Sequence, residues 1–258
     1  MIAVAFTVSC QRREYLERTL KSWSRARGIE KAAVVFSLEH YMSFRKGETQ
    51  AAELEKQFEG FEHAMAHLFP AARVVRGSSH VGCLRNTRRA LELGFQHADF
   101  VVLAEEDIEV SDDVLEYFTW ASVKYAGDPD VMAVCGHSVR SDGSADQALR
   151  VPWFTPLVWG TWRSRWEGLI GPAWGPQPGY PQGWDYTMRK LVSNGVHCVY
   201  PAVSRAQHFG AKSTMTPSSP VTGTNYFHDR SQSSTFQLHQ EPQEFTEVTD
   251  DGVILVYY

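Results

Sequence analysis

Apolar runs of strand length alternate with stretches of helical period through the first 140 residues of this chain. Residues 2–8 form a continuous apolar run, the mark of a buried strand, and residues 14–25 then carry Tyr15, Leu16, Leu20 and Trp23 at helical spacing. Residues 32–38 predict a second strand. Residues 51–69 predict a long amphipathic helix, with Leu54, Phe58, Phe61, Met65 and Leu68 recurring every three or four positions until Pro70 stops it. A short strand at 73–76, a helix at 87–95 with Gly94 near its end, and an apolar strand at 99–104 follow. Ser111 is a capping candidate for a helix over 112–125, and residues 131–136 predict a further strand. Strands alternating with helices predict an α/β fold with mainly parallel pairing, helices on both faces and ligand binding at the C-terminal strand ends.

The pattern changes after residue 140. Residues 141–147 are polar, and six of the eight tryptophans then fall between Trp153 and Trp184, among Pro172, Pro176, Pro178 and Pro181 and an interleaved set of glycines. Such a segment cannot be one long regular element. It reads equally as an irregular aromatic core layer and as a cleft wall on which sugar rings or bases stack. Residues 212–225 have the Ser, Thr, Pro and Gly content of a mobile loop, and residues 253–258 predict a last strand.

Length and charge narrow the classes. At 258 residues the chain fits one large domain. Its formal charge of -5 lacks the basic footprint of a nucleic-acid binder. No apolar run approaches the roughly 18 residues of a membrane span. The first residues lack the basic flank and cleavage site of a signal peptide. Cys10, Cys83, Cys135 and Cys198 are widely spaced, which predicts reduced thiols and a cytoplasmic protein rather than a disulfide framework or a cysteine zinc site. His63 and His67 are four apart but lack the glutamate of a zinc helix, and neither a hydrolase elbow nor a P-loop is present.

The sharpest local chemistry is the run from Val101 through Glu105, Glu106 and Asp107, where a buried strand ends in three consecutive acids. Adjacent carboxylates repel, and burying them is costly without a cation or donors. At the C-terminal edge of a parallel sheet they suit Mn²⁺ or Mg²⁺, which takes one or two carboxylates and completes its shell with phosphate oxygens and water. A solvated acidic turn heading the next helix is the alternative reading.

With these residues in view, four segments resemble, in order, the N-acetylglucosaminyltransferase I family, whose members are inverting, metal-dependent glycosyltransferases of the GT-A fold. They are Glu105-Glu106-Asp107-Ile108-Glu109-Val110, Leu157-Val158-Trp159-Gly160-Thr161-Trp162, Gly183-Trp184-Asp185-Tyr186-Thr187-Met188-Arg189, and Pro201-Ala202-Val203-Ser204-Arg205 followed by Phe209-Gly210. The resemblance covers roughly residues 1–230 and implies one GT-A-like domain over residues 1–258. Residues 1–140 would bind the nucleotide sugar, and residues 141–258 the acceptor, with a mobile loop at about 211–225. It implies Asp107 as metal ligand, Glu106 near the ribose and Glu105 on the donor sugar. Cys10 and Arg12 would lie at the nucleotide-binding turn, Glu39 against the base, Asn86 on the nucleotide, and Arg205 as a further donor to the diphosphate. Trp159, Trp162 and Trp184 would line the acceptor side.

Two departures from the family matter. Where the family pairs two acids before Met-Arg, this chain has Asp185-Tyr186, so Asp185 alone is left to act as catalytic base. His208 stands where the family lacks histidine, and imidazole suits it as a second ligand to Mn²⁺. The chain also lacks the anchor and stem of the eukaryotic enzymes, which suggests a soluble bacterial or viral version. The expected reaction moves N-acetylglucosamine or a similar hexose from a UDP-sugar to a hydroxyl on a glycan, a protein, a lipid-linked sugar or a modified nucleobase. A nucleotidyltransferase, a nucleotide-sugar-binding protein or a lectin-like glycan binder remains an alternative for the same residues.

Overall fold

The computed structural model describes residues 1–9, 13–40, 48–138, 144–176, 183–209 and 246–248. Cys10, Arg12, the loop at 211–225 and the strand expected at 253–258 lie outside the described residues.

The apolar runs form the middle of a nine-stranded sheet. β1 (Ile2–Val8) is buried at all seven positions, so both of its faces are covered. It pairs in parallel with β2 (Ala33–Leu38) on one side and with β4 (Phe100–Glu105) on the other. β3 (Arg73–Arg76) adds in parallel beyond β2. The order β3-β2-β1-β4 reverses direction beside β1, and crevices at such reversals are where open α/β sheets bind ligands.

The chain beyond residue 130 extends the same sheet. It supplies β6 (Val131–Cys135), β7 (Gln147–Val151), β8 (Trp159–Trp162), β9 (His197–Pro201) and β11 (Thr246–Val248), giving the full order β11-β7-β9-β6-β8-β4-β1-β2-β3. β8 inserts antiparallel between β4 and β6, and β7 runs antiparallel to β9. The sheet is therefore mainly, though not wholly, parallel. A second sheet has two strands only, β5 (Ile108–Val110) and β10 (Ala206–His208), paired antiparallel. Neither strand was predicted, because three residues are too few for a period to appear.

The helices are α1 (Arg13–Trp23), α2 (Glu48–Leu68), α3 (Cys83–Phe95), α4 (Val114–Lys124) and α7 (Trp184–Ser193). Between β8 and α7 runs a broken helical stretch of α5 (Arg163–Arg165), a π turn (Trp166–Ile170) and α6 (Gly171–Ala173). Strand alternation separates two cores. Val4, Phe6 and Val8 join Leu16, Trp23, Phe58, Phe118 and Trp162 on one face. Ala3 and Ala5 face Leu91, Trp159, Trp166, Trp174 and Trp184 on the other. The small residues let α3 lie close to the sheet. A Cβ on Gly94 would stand 2.7 Å from Val101 Cγ1, so only glycine fits there.

Two helix starts differ from the sequence reading. α3 begins at Cys83, four residues earlier than predicted, directly after a turn at Gly82 with φ 80°, where no side-chain cap marks the boundary. Ser111 does not cap α4. Its hydroxyl donates to Asp113 Oδ1 at 2.5 Å, and Asp113 takes the boundary position. Among the described residues no helix is long and apolar enough to cross a membrane.

Candidate active site

The C-terminal ends of β1, β2 and β4 are tied together by buried polar side chains. Glu106, 4% exposed, accepts the backbone N–H of Ser9 at 2.5 Å and also the Ser9 hydroxyl, joining the ends of β4 and β1. Glu39, 3% exposed, accepts the amides of His40, Val81 and Gly82 at 2.9, 3.1 and 2.8 Å, so it fixes the turn that opens α3. Asn86 donates to Thr7 Oγ1 at 3.0 Å and to Ser37 O at 3.2 Å, and accepts from Ser37 Oγ at 2.8 Å and Arg89 Nη2 at 2.7 Å. These three residues were expected to contact the nucleotide. In the structure they also brace the site's floor, since buried polar atoms find internal partners.

Asp107 follows Glu106 at the open end of the crevice. β10 folds back along β5 in the register Ala206↔Val110, Gln207↔Glu109 and His208↔Ile108, and Phe209 N–H donates to Asp107 O at 3.1 Å. This return brings His208 Nε2 to 3.4 Å from Asp107 Oδ2, a residue 101 positions earlier in the chain, with both side chains largely buried. His137, 3% exposed, lies close enough for the charge of His208 to add to burial in holding its imidazole down at about 4. Among the described residues no three His, Cys, Asp or Glu side chains group closely enough to hold a metal alone. The Asp107–His208 pair still fits Mn²⁺ or Mg²⁺. It offers one carboxylate and one imidazole where three acidic residues end a strand, leaving other coordination positions to phosphate and water.

Asp185 lies in the first turn of α7, 34% exposed and 3.3 Å from Arg189. Its charge and that of Glu105 both act on a thiol that sequence reasoning missed. Cys83, the first residue of α3, has its thiol pushed up to about 12, chiefly by burial and then by the charge of Glu105, with Asp185 adding to the same effect. Hydrogen bonds to Thr87 and Trp184 act in the opposite direction. Glu105 of β4 and Asp185 of α7 thus both lie near enough to the start of α3 for their charges to act on the Cys83 thiol. The only signal in the sequence was the Gly82-Cys83 pair, which reads as an ordinary turn and buried thiol.

This geometry predicts a chemical behaviour. A thiol held protonated by burial and by nearby negative charge is a poor nucleophile, since the thiolate is the reactive form. At pH 8 Cys83 should alkylate with iodoacetamide on the order of 100-fold more slowly in the native chain than in urea, read by peptide mass spectrometry. Equal rates in the two states would mean that burial does not hold the thiol protonated in the native chain.

The tryptophans expected on the acceptor side are core instead. Trp159 stacks on Trp184 with centroids 5.6 Å apart at 27°, and Trp184 stacks on Trp174 at 5.6 Å and 12°. Trp174 Nε1 donates to Leu84 O at 3.0 Å, so the stack presses on the first turn of α3 and seats α7 beside it. Trp162 faces the opposite core and donates to Ser122 O at 2.9 Å. None of the three is open to a sugar ring, since each is at most 6% exposed. The exposed aromatic beside Asp185 is Tyr186, at 40%.

Arg205 is likewise corrected. It is 1% exposed and its Nε lies 3.1 Å from Asp113 Oδ2, so the guanidinium points into the protein rather than at a diphosphate. Arg85, in the same turn as Asn86, is exposed. Among the described residues Cys83, Cys135 and Cys198 are free thiols.

Comparison with known proteins places the chain by family and fold. A family model described as the GNT-I family matches residues 1–218. The chain is 25% identical over 265 residues to alpha-1,3-mannosyl-glycoprotein 2-beta-N-acetylglucosaminyltransferase of Arabidopsis thaliana, covering 97% of this chain and 53% of that protein. The chain thus spans about half the length of that relative. Among solved structures it is similar to GalNAc-T7 with UDP, GalNAc and Mn²⁺, with a TM-score of 0.51 and 12% identity over 81% of this chain and 43% of that one. It is also similar to S. aureus TarS 1-349 in complex with UDP, with a TM-score of 0.50 and 13% identity over 80% of this chain and 59% of that one. These likenesses are of fold, and the fold is GT-A.

Proposed function

The chain belongs to the GNT-I family, and from that premise we propose that it is an inverting glycosyltransferase that moves N-acetylglucosamine, or a similar hexose, from a UDP-sugar to an acceptor hydroxyl. The observation that carries the reading is the convergence at the sheet's reversal point. Asp107 and His208 face each other at 3.4 Å, and Glu105 and Asp185 both act on the Cys83 thiol through their charges. The Arabidopsis relative, named as an N-acetylglucosaminyltransferase, supports that donor sugar.

In this reading Asp107 and His208 hold Mn²⁺ or Mg²⁺. When bound, the ion supplies a positive charge against the negative charge that develops on the departing diphosphate. The chain's own residues do the rest. The Glu106 and Glu39 braces keep the strand ends from parting, and Glu105 faces the donor sugar. Asp185 takes the proton from the acceptor hydroxyl as that oxygen bonds to the anomeric carbon. The carbon–phosphate oxygen bond breaks on the opposite side, and its electron pair leaves with UDP. Tyr186, exposed next to Asp185, offers the acceptor an apolar face. With Trp159, Trp162 and Trp184 inside the core, the aromatic wall that a lectin-like role would use is absent from those residues.

The test is proton NMR of the protein mixed with Mn²⁺ and, separately, UDP-N-acetylglucosamine, UDP-N-acetylgalactosamine and UDP-glucose. The expected result is slow release of UDP, fastest with UDP-N-acetylglucosamine, with the freed sugar appearing first as the β anomer. No release from any of the three, or an α anomer first, would contradict the proposal.

A further inference from the structure

The metal arm is short. β10 has three residues, and a ladder of that length provides few hydrogen bonds to fix its register, yet a slip by one residue would turn His208 to the opposite face. Directly before β10 lies the most buried charged residue of this region. Arg205 is 1% and Asp113 3% exposed, and both Arg205 Nε and Nη2 lie 3.1 Å from Asp113 Oδ2. Arg205 Nη1 donates to Val203 O at 2.7 Å and Nη2 donates to Ala145 O, while Asp113 Oδ1 accepts from Ser111 Oγ at 2.5 Å. The main chain is pinned at the same point. Arg205 N–H donates to Gly136 O at 2.8 Å and Ser111 N–H donates to Arg205 O at 3.0 Å. One side chain thus spans the start of α4, the turn before β7 and the start of β10.

Folding energetics alone do not call for a charge here. Replacing a buried ion pair by packed apolar residues is often neutral or stabilising, and the best-attested use of such pairs is to fix register. The planar guanidinium suits that use, because its donors point in fixed directions. We propose that the Arg205–Asp113 pair is a positioning device for the metal arm: it sets the register of β10 on β5 and thereby holds His208 against Asp107. This rests on the reading of Asp107 and His208 as the cation site.

The experiment is Mn²⁺ binding to the full chain, measured by electron paramagnetic resonance of free Mn²⁺ with saturating UDP. It compares wild type, His208→Ala, the double variant Arg205→Met/Asp113→Leu, and the combination of all three substitutions. Thermal melts run alongside, and Arg205→Lys serves as a second route if the apolar pair does not fold. Each of His208→Ala and the apolar pair should weaken Mn²⁺ by about 10- to 100-fold, the range for residues that orient a ligand. The combination should be no weaker than His208→Ala alone, because both act through one contact. The apolar pair should keep its melting temperature, and Arg205→Lys, with charge but no planar fork, should fall between wild type and the apolar pair. Wild-type Mn²⁺ affinity in the apolar pair, or losses that multiply in the combination, would overturn the positioning role. Unchanged affinity in His208→Ala would overturn the ligand assignment itself, seen in that single variant, and the positioning role with it.

Discussion

Asp185→Asn should lower turnover by about 10²–10⁴-fold, the contribution typical of a positioned general base, while leaving Mn²⁺-dependent UDP binding close to wild type. Asparagine has nearly the same shape as aspartate and keeps an oxygen that can face Arg189, now 3.3 Å from the carboxylate. It also remains acceptable in the first turn of α7, so the stack of Trp159, Trp184 and Trp174 that seats this helix is undisturbed. What it loses is the capacity to take a proton. A loss confined to the chemical step therefore separates the base from a residue that merely holds the helix. The check is steady-state donor turnover beside a UDP titration on the same preparations. Equal losses in turnover and UDP affinity would assign Asp185 to donor binding instead.

Asp107→Ala should reduce Mn²⁺-supported UDP affinity by about two orders of magnitude, equivalent to roughly 2.8 kcal/mol. The change removes the carboxylate that faces His208 but spares the main chain, where Asp107 O still accepts from Phe209 N–H. β10 should therefore stay on β5, and the loss should be one of ligand chemistry rather than of fold. Glu106 offers the contrast next door. Its carboxylate joins the ends of β1 and β4 through Ser9, so its removal acts on the frame and not selectively on the metal.

Much of the frame was legible because it is written in consecutive residues. Seven buried positions in β1 and five in β4 leave no other element type, and three acids after a buried strand mark the sheet edge where charge must be compensated. The parts that were not legible depend on partners far apart in the chain. Arg205 reads as an exposed cation ready for phosphate, and only its pairing with Asp113, 92 residues away, turns it inward. The tryptophans between Trp153 and Trp184 have a composition that suits a cleft wall and a core equally. The choice is made by stacking across β8, α6 and α7, which no local period encodes. Asn86 and Glu39 read as residues at strand and helix ends, but their bonds to strand ends and turn amides join segments far apart in the chain, which the sequence does not reveal. His208 stood out as a lone late histidine, and the three-residue ladder that delivers it to Asp107 had no signal of its own.

The claim on which the rest depends is that the Asp107 edge holds a divalent ion together with UDP. Calorimetric titration of UDP, with and without Mn²⁺, on wild type and Asp107→Ala tests it most directly. The account predicts binding by wild type that needs Mn²⁺ and is lost in the variant, with both proteins melting alike. UDP binding of equal strength with and without Mn²⁺, or undiminished in Asp107→Ala, would contradict it.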